Sequence, residues 1–71
     1  MRLDSEPRQL LRLDAVCSLT GLSRSTIYAK ISEGTFPAQV SLGSRAVAWY
    51  ADEIASWIDS LPQAIDQNFT Q

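Results

Sequence analysis

Histidine is missing from this chain of 71 residues, and cysteine occurs once, at Cys17. The first absence removes the commonest general base and metal ligand; the second excludes an intrachain disulfide and leaves no zinc-ligand cluster. No metal, no cofactor and no enzymatic activity are therefore expected. Cys17 lies within an apolar helical pattern and reads as a small buried hydrophobe, kept reduced in the cytosol. Long apolar runs are also lacking: none approaches the roughly 18 to 20 residues that span a bilayer. The opening stretch MRLDSEPRQL alternates charge and has no apolar core of the kind a secretory signal carries. A cytoplasmic protein without membrane contact is the expectation.

An excess of positive charge is the last thing missing. Six Lys and Arg face eight Asp and Glu, a net charge of −2, which argues against tight non-specific binding to nucleic acid. The distribution is uneven, however. Between Gly21 and Tyr50 lie Arg24, Lys30 and Arg45 against Glu33 alone, a net of +2, and the rest of the chain carries −4. A weakly basic middle thus sits between acidic ends.

The length allows one domain and one modest core, so most branched and aromatic side chains are needed inside. Residues 1–9 are rich in charge and poor in apolar groups and read as a flexible N-terminal arm. Asp14 is a fair N-cap for a first helix through Val16, Cys17 and Leu19, which Gly21 ends. Ser23 is well placed to cap a second helix running to Glu33, with Leu22 and Ile27 as its hydrophobic staple and Gly34 and Pro37 as its stop. Ile27 and Ile31 share one face of that helix, while Ser25, Tyr28, Ala29 and Ser32 point largely away. From residue 39 the period changes to two. Residues 39–42 and 46–49 read as a β-hairpin around Gly43-Ser44-Arg45, with Val40, Leu42, Val47 and Trp49 inward. Ile54, Trp57, Ile58 and Leu61 then follow helical spacing in a last helix that Pro62 ends. Asp52 and Glu53 suit its first turn, and with Asp59 fit an exposed face better than a catalytic pair. The tail, residues 62–71, offers Ile65 and Phe69 as one possible self-association surface.

The fold class is accordingly mainly α with a small β-hairpin, in the order helix, helix, hairpin, helix: a winged helix-turn-helix over residues 10–61. A helix anchored on one side, with a small, polar and aromatic opposite face, is what such proteins insert into a DNA groove.

The residues carry a resemblance as well. Thr20-Gly21-Leu22-Ser23-Arg24-Ser25-Thr26-Ile27-Tyr28, then Gly34-Thr35-Phe36-Pro37, then Leu42 through Trp49, and last Ile54 with Trp57-Ile58, resemble the AlpA family of phage-type regulators. These are small winged helix-turn-helix proteins akin to excisionases and to the DNA-binding heads of MerR-type regulators. The resemblance covers most of the chain and implies a recognition helix at residues 23–33, a wing at 40–49, and control of prophage or mobile-element genes.

On this reading the DNA-binding candidates are Ser23, Arg24, Ser25, Thr26, Tyr28, Lys30, Ser44 and Arg45. Arg24 can reach a phosphate or the paired acceptors of a guanine; its plainer reading is a solvated arginine or one paired with Glu33 or Asp14. Ser25 and Thr26 are small donors at a helix N-terminus. Tyr28 either touches the DNA backbone or covers the domain edge. Lys30 lies on the side away from Arg24. Arg45, with Ser44 at the hairpin tip, has no packing reason to be there and would meet neighbouring backbone or minor groove. Trp49 and Trp57 could be stacking platforms, but their spacing assigns them to the core. The expected partner is double-stranded DNA, bound by a homodimer or by several copies on repeated sites. The alternatives are an excisionase-type factor that bends DNA for a recombinase, and a protein-interaction module such as an anti-repressor.

Overall fold

A computed structural model describes residues 8–62. The expected arm up to residue 7, and the tail from residue 63 with Ile65 and Phe69, lie outside the described residues. The elements are β1 (Leu10–Leu11), α1 (Leu13–Thr20), α2 (Arg24–Glu33), β2 (Val40–Ser41), β3 (Val47–Tyr50) and α3 (Ala51–Asp59). This is the mainly helical fold with a small hairpin that the patterning implies, and it is consistent with a winged helix-turn-helix.

The two N-terminal helices obey local signals. Gly21 and Gly34 close α1 and α2 in the left-handed conformation, at φ of 75° and 80°, where a side chain would be strained. Ser23 caps α2 with extended backbone, its Oγ accepting from the Thr26 N–H at 3.2 Å. The start of α1 differs from expectation. Arg12, not Asp14, holds the N-cap position, and the Val16 N–H donates to the Arg12 carbonyl at 3.1 Å. Leu13 is thereby drawn into the helix and against the core, while Asp14 becomes a first-turn acid that complements the helix dipole.

The hairpin acquires a third strand. β3 pairs antiparallel with β2 on one side, Val40 opposite Ala48, and with β1 on the other, Leu10 opposite Tyr50. Being central, β3 buries both Ala48 and Trp49 completely, rather than only the alternate residues. Leu42 is not on the inward face: β2 stops at Ser41, and Leu42 begins the turn, its N–H donating to the Ala46 carbonyl, with 47% of its surface exposed. Leu61 is likewise outside its helix and 48% exposed. It precedes Pro62, and a residue before proline is disfavoured in helical geometry, so α3 ends at Asp59 and the stripe ends with Ile58.

Val16, Ile27, Phe36, Trp49 and Ile54 form the buried core, one each from α1, α2, β3 and α3 and Phe36 from the segment after α2. Burying each aliphatic or aromatic side chain contributes roughly 1.5–3 kcal/mol, so a core this small tolerates few losses. Cys17 packs against it half-buried. Both tryptophans serve the fold. The Trp49 indole N–H donates to the Pro37 carbonyl at 3.0 Å and that of Trp57 to the Thr35 carbonyl at 2.7 Å. Phe36 meets Trp57 edge-on, ring centres 4.7 Å apart. The segment from α2 to the wing is thus pinned from two sides.

Candidate nucleic-acid interface

The sequence of α2 commits little of it to packing. Ile27 is its one fully buried residue and Ile31 is half-buried, while Arg24, Ser25, Tyr28 and Ala29 stand exposed. Arg24 and Tyr28, four residues apart, share a face one turn above the other. The Tyr28 ring also leans on the Trp49 ring, centres 6.2 Å apart, so the core fixes the height at which its hydroxyl is presented.

That face forms one wall of an open cleft of about 750 Å³. The start of α1, with Arg12 and Asp14, and the wing, with Ser41 and residues 43–47, complete it. Four of the eight candidate residues therefore converge: Arg24, Tyr28, Ser44 and Arg45. The other four do not line it. Ser23 and Thr26 are occupied with each other, the Ser23 hydroxyl donating to Thr26 Oγ1 at 3.0 Å while accepting from its N–H. Ser25 stands beside them, its Oγ 3.3 Å from that of Ser23. Lys30 belongs to the last turn of α2, where its charge suits the helix C-terminus.

Charge in the cleft is set by three guanidinium groups, on Arg12, Arg24 and Arg45, against the carboxylate of Asp14. Neither Asp14 nor Glu33 pairs with Arg24: among the described residues, ion pairs are made only by Arg8. Arg8 is remote from the cleft walls and spends its charge at the β1–α3 edge. It donates to both Asp52 oxygens at 3.0 and 3.1 Å and lies 3.6 Å over the Tyr50 ring. Those hydrogen bonds hold the Asp52 carboxyl below its ordinary range and push the Arg8 guanidinium up.

One cleft residue escapes sequence reasoning. Arg12 precedes the basic stretch and counts, by position, with the acidic flank. It reaches the wing only because β1 lies beside β3, which sets it next to Val47, 35 residues away. No local pattern carries that information.

Residues 9–61 match the family of the prophage CP4-57 regulatory protein AlpA. The chain belongs to the AlpA family. Relatives agree with the assignment. It is 49% identical over 55 residues to the uncharacterized protein ORF88 of Enterobacteria phage P4, an alignment covering 78% of this chain and 62% of the phage protein. It is 38% identical over 56 residues to the DNA-binding transcriptional activator AlpA of Escherichia coli K12, covering 70% of this chain and 80% of that protein. The chain thus spans under two thirds of the phage relative's length. The AlpA match starts at residue 9 and ends at 61, so it takes in β1 and the whole of α3. Among the described residues no helix is long and apolar enough to cross a membrane, and no group of three or more Cys, Asp or Glu is arranged to hold a metal ion.

Proposed function

We propose that this AlpA-family chain is a sequence-specific double-stranded DNA-binding regulator of prophage or mobile-element genes. The observation that carries the reading is the convergence of Arg24 and Tyr28 on α2 with Ser44 and Arg45 on the wing around one cleft whose arginines have no carboxylate partner among the described residues. A ten-residue helix is about 15 Å long and, with side chains, about 10–12 Å wide, which matches a major groove about 12 Å across. In the proposed complex the N-terminal half of α2 enters that groove. Arg24 reads a guanine edge or grips its phosphate, Ser25 adds a short donor, and Tyr28 meets the sugar-phosphate backbone. The wing lies against the next stretch of backbone, held there by Arg45 and Ser44. Ser23 and Thr26 act by fixing the first turn of the helix, and Lys30 is left to a peripheral contact. The name of the E. coli relative, a DNA-binding transcriptional activator, supports the same reading.

The electrostatic share is small. Phosphate contacts by Arg24 and Arg45 alone give a slope of log affinity against log salt of about −2 for each bound copy. A module of this size buries too little surface to bind tightly alone, so a homodimer or several copies on repeated sites is part of the proposal. The test is selection of binding sites from a randomised duplex library by the purified protein, followed by titration of the winning sequence across a salt series. A repeated motif with a shallow slope is the expected result. Folded protein that enriches no motif would overturn the reading and favour a protein partner.

A further inference from the structure

Arg12 does two things at once in the cleft wall. Its Nε–H donates to the Val47 carbonyl at 3.1 Å, which fixes the side chain against the first residue of β3, at the root of the wing. Its backbone carbonyl meanwhile starts α1. A guanidinium carries five N–H donors, and this bond uses one of them. The terminal Nη groups have no protein acceptor among the described residues, although the Asp14 carboxylate is only two positions away and exposed. An arginine retained for an ion pair would use that neighbour. An arginine that lines a cleft with Arg24 and Arg45, is held by Nε and has both Nη groups without a protein acceptor among the described residues keeps instead the forked donors that match two oxygens of a phosphodiester. The bond to Val47 fixes the side chain beforehand, so less freedom is lost on contact.

We infer that Arg12 is a further phosphate-contacting residue, gripping the DNA backbone between the groove helix and the wing. The inference rests on the DNA-binding reading and adds one contact to it. With Arg12 included, the salt slope for each copy becomes about −3.

Two variants of the full chain test it, each checked for an unchanged circular-dichroism spectrum and melting curve. R12Q removes the charge while its amide can still donate to the Val47 carbonyl; R12K keeps the charge and loses the Nε–H. R12Q is expected to weaken binding about tenfold, equally on the selected site and on unrelated duplex, and to shrink the slope by about 0.9. R12K is expected to keep the wild-type slope. A wild-type slope in R12Q, with wild-type protein binding its site, overturns the inference and leaves the DNA-binding reading standing. Equal losses of slope in both variants also overturn it, because the bond to Val47 would then be what matters. Wild-type protein that selects no duplex sinks both.

Discussion

Arg8 and Arg24 are the same residue type in opposite situations. Arg8 sits 3.6 Å over the Tyr50 ring and is engaged by Asp52, with Glu53 3.4 Å away, so its charge is spent inside the molecule. Arg24, on α2 across from the wing, faces a cleft and has no acid in contact among the described residues. The contrast explains how a chain with a net charge of −2 can still be fitted to a polyanion. Three of its acids, Asp52, Glu53 and Asp59, lie on α3, two of them beside Arg8, while the arginines of the cleft make no ion pair among the described residues. Overall charge reports on solubility and long-range repulsion; a site is built from which cations are left unpaired.

Removing the unpaired cations tests the contrast most severely. R24A combined with R45A should lower affinity for the selected duplex at least about thirtyfold, since each lost base or phosphate contact costs about 1–3 kcal/mol. Both side chains are exposed, so the melting temperature should hardly move. A double variant that binds within threefold of wild type would mean that the cleft is not the interface. Electrophoretic mobility shift beside thermal melting gives both numbers from one preparation.

Ser23 sharpens the line between building the site and touching DNA. Its hydroxyl is consumed by Thr26, so S23A should cost stability, about 1 kcal/mol, or about 4–8 °C in the melting temperature of a domain this small. At a temperature where the variant is folded, its salt slope should match wild type. S23N, which keeps a capping oxygen, should restore most of the stability. A loss of sequence preference with full stability would instead make Ser23 a reading residue.

How much of this was legible in the sequence depends on the range of the signal. The ends of α2 are written locally, in Ser23 before it and Gly34 after it, and the structure follows them residue for residue. The hairpin and the core tryptophans follow from periodicity, which is still local. Leu42 and Leu61 show where periodicity fails: each continues an apolar pattern past the residue at which the backbone has turned away, because of the wing turn in one case and Pro62 in the other. β1 is a different kind of miss. Two leucines have no strand signal of their own, and Leu10–Leu11 is a strand only because β3 is there to pair with. Arg12 inherits that blindness, so one of the cleft's three guanidinium groups lay where no local reading could find it.

Asp14 is the one acid among those cleft charges, and it opposes any phosphate brought near Arg12 or Arg24. D14N should therefore tighten binding to every duplex about two- to threefold, the size of one exposed charge interaction, and leave the ratio between selected and unrelated sequences unchanged. It should also lower stability slightly, because the first turn of α1 loses its favourable charge. Unchanged affinity on unrelated DNA would show that the phosphates pass outside the reach of Asp14.

The smallest effect is expected on the other side of the comparison. R8Q or D52N breaks the pair at the β1–α3 edge, and neither should alter DNA affinity or the salt slope. Their effect should appear in the pH dependence of stability. The Asp52 carboxyl is held below its ordinary range by the hydrogen bonds from Arg8, so its folded-state pKa lies under its unfolded value. A depressed carboxylate stabilises the fold at pH values above its unfolded pKa, and that stabilisation fades as pH falls through the folded pKa. Wild type and D52N should therefore melt a little apart at neutral pH and converge in strong acid. Both partners are exposed, 46% for Arg8 and 63% for Asp52, so solvent screens the pair and the gap should close in high salt as well. A gap between wild type and R8Q that persisted at low pH would assign the loss to the packing of Arg8 on Tyr50, and the comparison would then rest on that packing rather than on a spent charge.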